Sequence, residues 1–141
     1  MTALRLLVTD TAEERINDAV TWLQGYSEES AQRFVEAMED ALQVLCRQVA
    51  ADIQQKIPLQ TDELASIYYS RPVFMHLLQT GKTRKRRSSA GLWRLYYDIV
   101  DQDRDGAPDT LRFLSVYHAA ARPLWEEPRP EQDEDDNEDV A

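Results

Sequence analysis

The sequence predicts an α+β protein, in which a hairpin of two helices packs on one face of a mostly antiparallel sheet. Two observations carry this prediction. Two successive apolar stripes at helical spacing fill the first third of the chain, and alternating apolar runs rich in β-branched and aromatic residues fill the second half. A short apolar run precedes the helices, so the predicted order is β-α-α-β-β-β.

The first three elements occupy Leu4 to Val49. Leu4 to Val8 fits a strand, and Thr9, Asp10 or Thr11 can cap the helix that follows. Gly25 is placed to end that helix, and Ser27 to cap the next one. The apolar stripe of the second helix consists of Phe34, Val35, Met38, Leu42, Leu45, Cys46 and Val49.

The segment Pro58 to Ser70 leaves two alternatives open. Thr61, Asp62 and Glu63 can cap one short helical turn, whereas Ile67 to Tyr69 can begin a strand.

Three strands follow, at Val73 to Leu78, Leu92 to Val100 and Thr110 to Tyr117. With both helices on one face, we expect the other face of the sheet to be open and able to present side chains to a long ligand.

The charge of the chain is unevenly distributed. The formal net charge is −10, yet Glu126 to Ala141 holds nine of the 26 acids against a single base, Arg129. We therefore predict a domain over 1–125, which is nearly neutral, and a disordered acidic tail over 126–141. The segment Glu131 to Asp139 suggests an internal polyanion that folds back on Lys82 to Arg87 and competes with nucleic acid, so truncation after Pro128 should strengthen RNA binding at low salt.

A single cysteine, Cys46, rules out a disulfide within the chain. The sequence has neither a charged-then-apolar leader nor an apolar run near 18 residues. We expect a cytoplasmic protein that uses neither membrane nor cofactor.

A basic stretch from Arg71 to Arg94 contains seven Lys or Arg residues and no acid. Such a stretch is typical of a surface that meets an anion, although a solvated strand edge can look the same. The candidate nucleic-acid-binding residues are Lys82, Arg84, Lys85, Arg86, Arg87 and Arg122. The rings of Trp93, Tyr96, Tyr97 and Tyr117 can stack bases if they are exposed, and Trp93 and Tyr97 are the two expected in the core.

Arg94, Tyr117 and His118 are the candidate catalytic residues. Ribonucleolytic cleavage needs a proton-transfer group and a cation near the phosphorus centre; His118 can move a proton, and Arg94 can hold phosphate with Arg86 or Arg87. Arg94 can instead pair with Asp98 or with an acid of a helix, and a histidine at a strand end can be structural.

The loop Asp101 to Asp109 carries acids at alternate positions before Gly106, a pattern that resembles the Asp-rich calcium loops of thrombospondin-type repeats. In an EF-hand the position of Arg112 is occupied by a bidentate Glu, so the loop is not an EF-hand. A solvated hairpin loop explains the same residues, and we predict no metal.

The element order, with GLWRLYYDIV followed by TLRFLSVYHAAAR, resembles the RelE/ParE superfamily of toxins from type II toxin-antitoxin systems. Gly91, Trp93, Arg94 and Tyr97 match a pattern on the third strand of that family, and His118 with Arg122 matches the cluster that closes the fourth. The resemblance spans Leu4 to Trp125. It implies a cognate antitoxin as partner.

Two activities are implied by the resemblance. RelE-like members cleave mRNA on the ribosome, which is the activity we expect first, and ParE-like members inhibit DNA gyrase. A non-catalytic binding member of the same fold is a third alternative. The chain departs from the family in its length, its insertion from Ala50 to Ser70 and its acidic tail. Trp125 also stands where RelE-like nucleases often have a catalytic tyrosine, so Tyr117 or His118 would have to serve.

The direction of two side chains separates these activities. If Arg94 and His118 project from the same open face, joint chemistry is possible. If Leu114 and Val116 face the core, strict alternation places His118 on the core face as well. If Leu111 and Phe113 face the core instead, His118 lies on the other face, and a β-bulge can reverse either result.

Overall fold

The fold contains a four-stranded mixed sheet, whose strands lie in the order Arg5–Val8, Thr110–His118, Leu92–Val100 and Phe74–Gln79. This confirms the predicted class, and the predicted element order holds with one further short helix before the second strand. The structure is a computed structural model that describes residues 2–80, 91–119, 121, 123 and 125. The predicted basic residues Lys82 to Arg87 and Arg122, and the tail 126–141, lie outside the described residues.

The elements are β1 (Arg5–Val8), α1 (Asp10–Gln24), α2 (Glu28–Gln54), α3 (Glu63–Tyr69), β2 (Phe74–Gln79), β3 (Leu92–Val100) and β4 (Thr110–His118). β1 pairs with β4 in parallel, and the other two pairings are antiparallel.

Both long helices begin where the sequence predicts. The Thr9 hydroxyl accepts a hydrogen bond from the backbone N–H of Ala12, and the Ser27 hydroxyl accepts one from Ser30. Gly25 ends α1 in a right-handed conformation, so the helix ends there without the left-handed geometry that favours glycine. None of the described helices is long and apolar enough to span a membrane.

The main core lies between α1, α2 and one face of the sheet, here called the hairpin face. Phe34, Met38 and Leu42 of α2 pack with Trp93 and Leu95 of β3. Cys46 is buried in the same core, and burial raises the pKa of its thiol, as expected for an inert cysteine.

The opposite face of the sheet is covered at its centre, so the expectation of an open face is wrong. Ala65 of α3 and Trp125 pack over Tyr96 and Leu114, and Tyr96 is fully buried. The physical reason is that β3 and β4 both place large apolar side chains on this face, which need cover from water. The helical alternative for Pro58 to Ser70 is correct: Asp62 caps α3, and Ile67 to Tyr69 lie in the helix rather than in a strand.

A β-bulge divides β4 into two halves. Tyr96 pairs with Ser115 but Tyr97 pairs with Phe113, which leaves Leu114 as an extra residue. Leu111, Phe113 and Val116 consequently all reach the hairpin-face core, although strict alternation would separate Val116 from the other two.

Candidate functional site

Arg94 and Tyr117 lie on the opposite face of the sheet as direct cross-strand neighbours. The Arg94 Nη2 donates a hydrogen bond to the backbone carbonyl of Ala121 at 2.6 Å. The Tyr117 ring packs edge-on against Trp125, with 5.5 Å between ring centroids, and the Arg15 guanidinium lies 5.1 Å from its centroid. The chain that follows β4 therefore folds back over this pair of residues.

His118 projects from the hairpin face instead. It pairs with Trp93 across the strands, and its ring centroid lies 5.0 Å from that of Trp93 and 5.3 Å from that of Trp22 on α1. The bulge at Leu114 is what turns His118 to this face. The structure thus brings Arg94 and Tyr117 together on one face of the sheet, whereas His118 projects from the other face.

The separation of Arg94 from His118 has a chemical consequence. General acid–base catalysis needs the proton donor or acceptor within hydrogen-bond reach of the reacting group. Arg94 and His118 project from opposite faces of the sheet, so the strand register does not direct the His118 imidazole toward a phosphate held by Arg94.

Most of the aromatic rings singled out for base stacking are buried. Trp93, Tyr96 and Tyr97 are all at least nine-tenths buried, so their faces are not available to a nucleobase. Trp93 and Tyr97 belong to the hairpin-face core, as expected, whereas Tyr96 lies beneath Trp125. Among the four rings considered for base stacking, Tyr117 is partly exposed.

Asp98 forms an ion network that the sequence does not predict. Its carboxylate accepts two hydrogen bonds from Arg112, at 2.8 and 2.6 Å, and lies 2.7 Å from the Nε of Arg71. Arg112 is thus an arginine that makes a bidentate contact with Asp98, across β3 and β4. Arg112 is 14 residues from Asp98, and only the register of the two strands makes them neighbours.

The aspartate loop brings Asp101, Asp105 and Asp109 together, with carboxylate oxygens within 4.8 Å of one another. These oxygens accept backbone hydrogen bonds from the loop: Asp109 from Gln102 and Asp103, and Asp101 from Asp105 and Gly106. The hairpin-loop interpretation therefore accounts for the acids, and the cluster by itself does not assign a metal.

Hydrogen bonding also perturbs the ionisation of Asp109. The Thr110 hydroxyl donates to it at 2.6 Å, and this bond, the two backbone N–H groups and the Arg5 guanidinium hold the pKa of Asp109 well below its usual range, against the effect of burial.

A groove that sequence reasoning missed lies between α1 and the end of β4. Its volume is about 430 Å³. It is lined by Arg15, Asp18, Ala19, Trp22, Trp93, Val116, Tyr117, His118 and Ala121. The spacing of Asp18 and Trp22 on α1 is visible in the sequence, but the meeting of α1 with β4 is not.

No family model matches the sequence, and comparison with curated proteins finds no similar sequence.

Proposed function

We propose that this chain is the toxin of a type II toxin-antitoxin system of the RelE/ParE kind, acting in the cytoplasm and neutralised by a cognate antitoxin. The support is the resemblance of Leu4 to Trp125, together with the order of the elements. Two long helices on one face of a sheet agree with that resemblance.

The proposed toxin acts by binding its target, and DNA gyrase is the target that the resemblance implies. The observation that carries this choice is the location of Arg94 and His118 on opposite faces of the sheet. Binding requires surface complementarity alone, whereas joint phosphate and proton chemistry requires both groups at one reacting atom.

An mRNA endonuclease is the second candidate, and one observation favours it. Arg94 and Tyr117 share a face and are cross-strand partners, so a guanidinium and a phenol do lie side by side. Substrate would have to displace the Ala121 carbonyl from Arg94. In this candidate Tyr117, rather than His118, moves the proton.

Induced expression in a bacterial host tests the proposal, with growth followed beside the labelling of newly made protein and DNA. We expect growth arrest in which DNA synthesis fails before protein synthesis, and we expect Tyr117→Phe and His118→Ala to arrest growth as the wild type does. Tyr117→Phe removes only the hydroxyl and keeps the ring packing against Trp125.

Arg33→Ala is the control for Arg94→Ala, because it also removes one arginine side chain. The ion pair of Arg33 with Glu29 lies on the exposed surface of α2. Early failure of protein synthesis that both Arg94→Ala and Tyr117→Phe relieve, while Arg33→Ala does not, would support the endonuclease instead. If the folded wild type causes no growth arrest, the remaining candidate is a non-catalytic binding member of the same fold.

A further inference from the structure

One side of α1 carries exposed acids and exposed aromatic rings in series. Glu14, Asp18, Trp22 and Tyr26 follow one another at four-residue spacing, which places the first three on one side of the helix and Tyr26 just beyond its end. Trp22 is 47% exposed and Tyr26 is 72% exposed. Their ring centroids lie 5.2 Å apart, so the two rings form one exposed aromatic patch.

The groove beside β4 continues this patch into the molecule. Trp22 forms one wall, while Trp93 and His118 lie deeper, with ring centroids 6.2 and 5.3 Å from that of Trp22. A volume of about 430 Å³ is in the range of small-ligand pockets, which is large enough to take one bulky side chain. The apolar walls favour an aromatic or aliphatic group.

The charge around the groove selects among possible occupants. Together α1 and α2 contain ten Asp or Glu residues and three Arg residues. Asp18 lines the groove, and Glu14 lies one turn away on the same side. Arg15, which also lines the groove, has its guanidinium over the Tyr117 ring. The wall that α1 forms carries four acids and one arginine, so it favours a cationic polypeptide over a nucleic-acid strand.

We propose that the groove between α1 and β4 is a docking site for a cationic segment of a partner protein. The segment inserts an aromatic or leucine side chain beside Trp22 and His118, and its Lys or Arg residues meet Asp18 and Glu14. A buried apolar anchor with charges at its rim is the usual arrangement of a protein interface. The groove borders Arg94 through Tyr117 and Ala121, but the proposed contacts are to Trp22, His118 and the acids of α1. The inference therefore stands independently of growth arrest and of the nuclease question.

Indole resonances of the 15N-labelled full chain provide the test. The probe is a blocked five-residue peptide with tryptophan flanked by two lysines on each side. The chain has three tryptophans, and Trp125 packs on the opposite face of the sheet, so its indole signal is an internal control. We expect the signals of Trp22 and Trp93 to shift on titration to about 1 mM peptide, an affinity typical of a single anchor, while that of Trp125 stays in place.

Two altered peptides test the proposed chemistry. Replacing the anchor tryptophan by alanine should weaken binding about tenfold or more, since burial of one large apolar side chain is lost. Replacing the four lysines by glutamates should remove the shifts. The inference is overturned if no signal shifts, if the alanine or glutamate peptide binds equally well, or if an unstructured oligonucleotide shifts Trp22 and Trp93 in place of the lysine peptide.

Variants of the chain locate the site. Trp22→Ala should abolish binding, and its folding is checked by the remaining two indole signals. Asp18→Asn should weaken binding a few-fold, because it removes one rim charge and no packing. The matched controls are Tyr68→Ala, an exposed ring on α3, and Glu39→Gln, an exposed acid of α2; both should bind as the wild type does. Equal losses in the variants and in their controls would also overturn the inference.

Discussion

Asp98 is a carboxylate buried within the sheet, and two guanidinium groups neutralise it. Arg112 contacts it in a bidentate manner from β4, and Arg71 reaches it from the segment between α3 and β2. A buried charge is tolerated when it is paired and hydrogen-bonded, and the removal of one partner leaves the others uncompensated. The network therefore ties three segments of the chain together at one residue.

Replacement of Asp98 by alanine should destabilise the protein by about 3–5 kcal/mol, because it leaves the Arg112 guanidinium without its partner in a half-buried position. Urea denaturation measures the change in the free energy of unfolding. Glu29→Ala is the control: it removes an exposed partner of Arg33 and should cost about 1 kcal/mol or less. Similar losses for the two variants would contradict the assignment of Asp98 as a structural centre.

Asp109 should make stability depend on pH in the acid range. Its pKa is lower in the folded chain than in the unfolded chain, so its contribution is present above the unfolded pKa of about 4 and is lost as the pH falls toward the folded pKa. We expect Asp109→Asn to be less stable than the wild type at neutral pH and to lose less stability between about pH 4 and pH 2.

Urea denaturation of both proteins across that pH range is the measurement. Two curves that run parallel below pH 4 would show that Asp109 is not responsible for the acid dependence.

The helix α3 is attached through Ser66 to Val73, the residue that precedes β2. The Ser66 hydroxyl accepts a hydrogen bond from the backbone N–H of Val73 at 2.9 Å and donates one to the Val73 carbonyl at 3.2 Å. The backbone N–H of Asp62 donates to the same carbonyl. Val73 is fully buried, so its N–H depends on Ser66 for a partner among the described residues.

Substitution of Ser66 by alanine should cost about 1–3 kcal/mol, the penalty for leaving a buried N–H unsatisfied. Ser30→Ala is a matched control on α2, where the hydroxyl takes part in an exposed hydrogen bond with Ser27. The free energy of unfolding in urea measures both. A loss for Ser66→Ala no larger than that for Ser30→Ala would indicate that α3 is not held in this way.

The bulge in β4 shows why faces are harder to predict than strands. The pattern of Thr110 to Tyr117 predicts the strand almost to the residue, yet Leu111, Phe113, Leu114 and Val116 cannot all belong to one alternating set. The sequence therefore indicates that the alternation is broken within the strand, but it does not indicate which residue is the extra one. That location decides which way His118 points, because a shift by one residue reverses the face of every later side chain.

Local signals in the sequence predict the helices and strands, whereas long-range contacts decide the composition of the site. Caps at Thr9 and Ser27, the stripe of α2 and the alternation of β3 are local, and the structure agrees with each of them. The cover that Trp125 provides over Tyr96 joins residues far apart in sequence, as does the contact of Asp98 with Arg112. No spacing within the chain predicts either contact, and the candidate site changes because of them.

We propose that the molecule inhibits its target by binding rather than by cleaving RNA. The most direct measurement compares the purified protein in two reactions, DNA supercoiling by gyrase and mRNA integrity on translating ribosomes. We predict loss of supercoiling, intact mRNA, and the same result for Tyr117→Phe and His118→Ala. Cleaved mRNA with normal supercoiling, abolished by Arg94→Ala and by Tyr117→Phe, would contradict the claim.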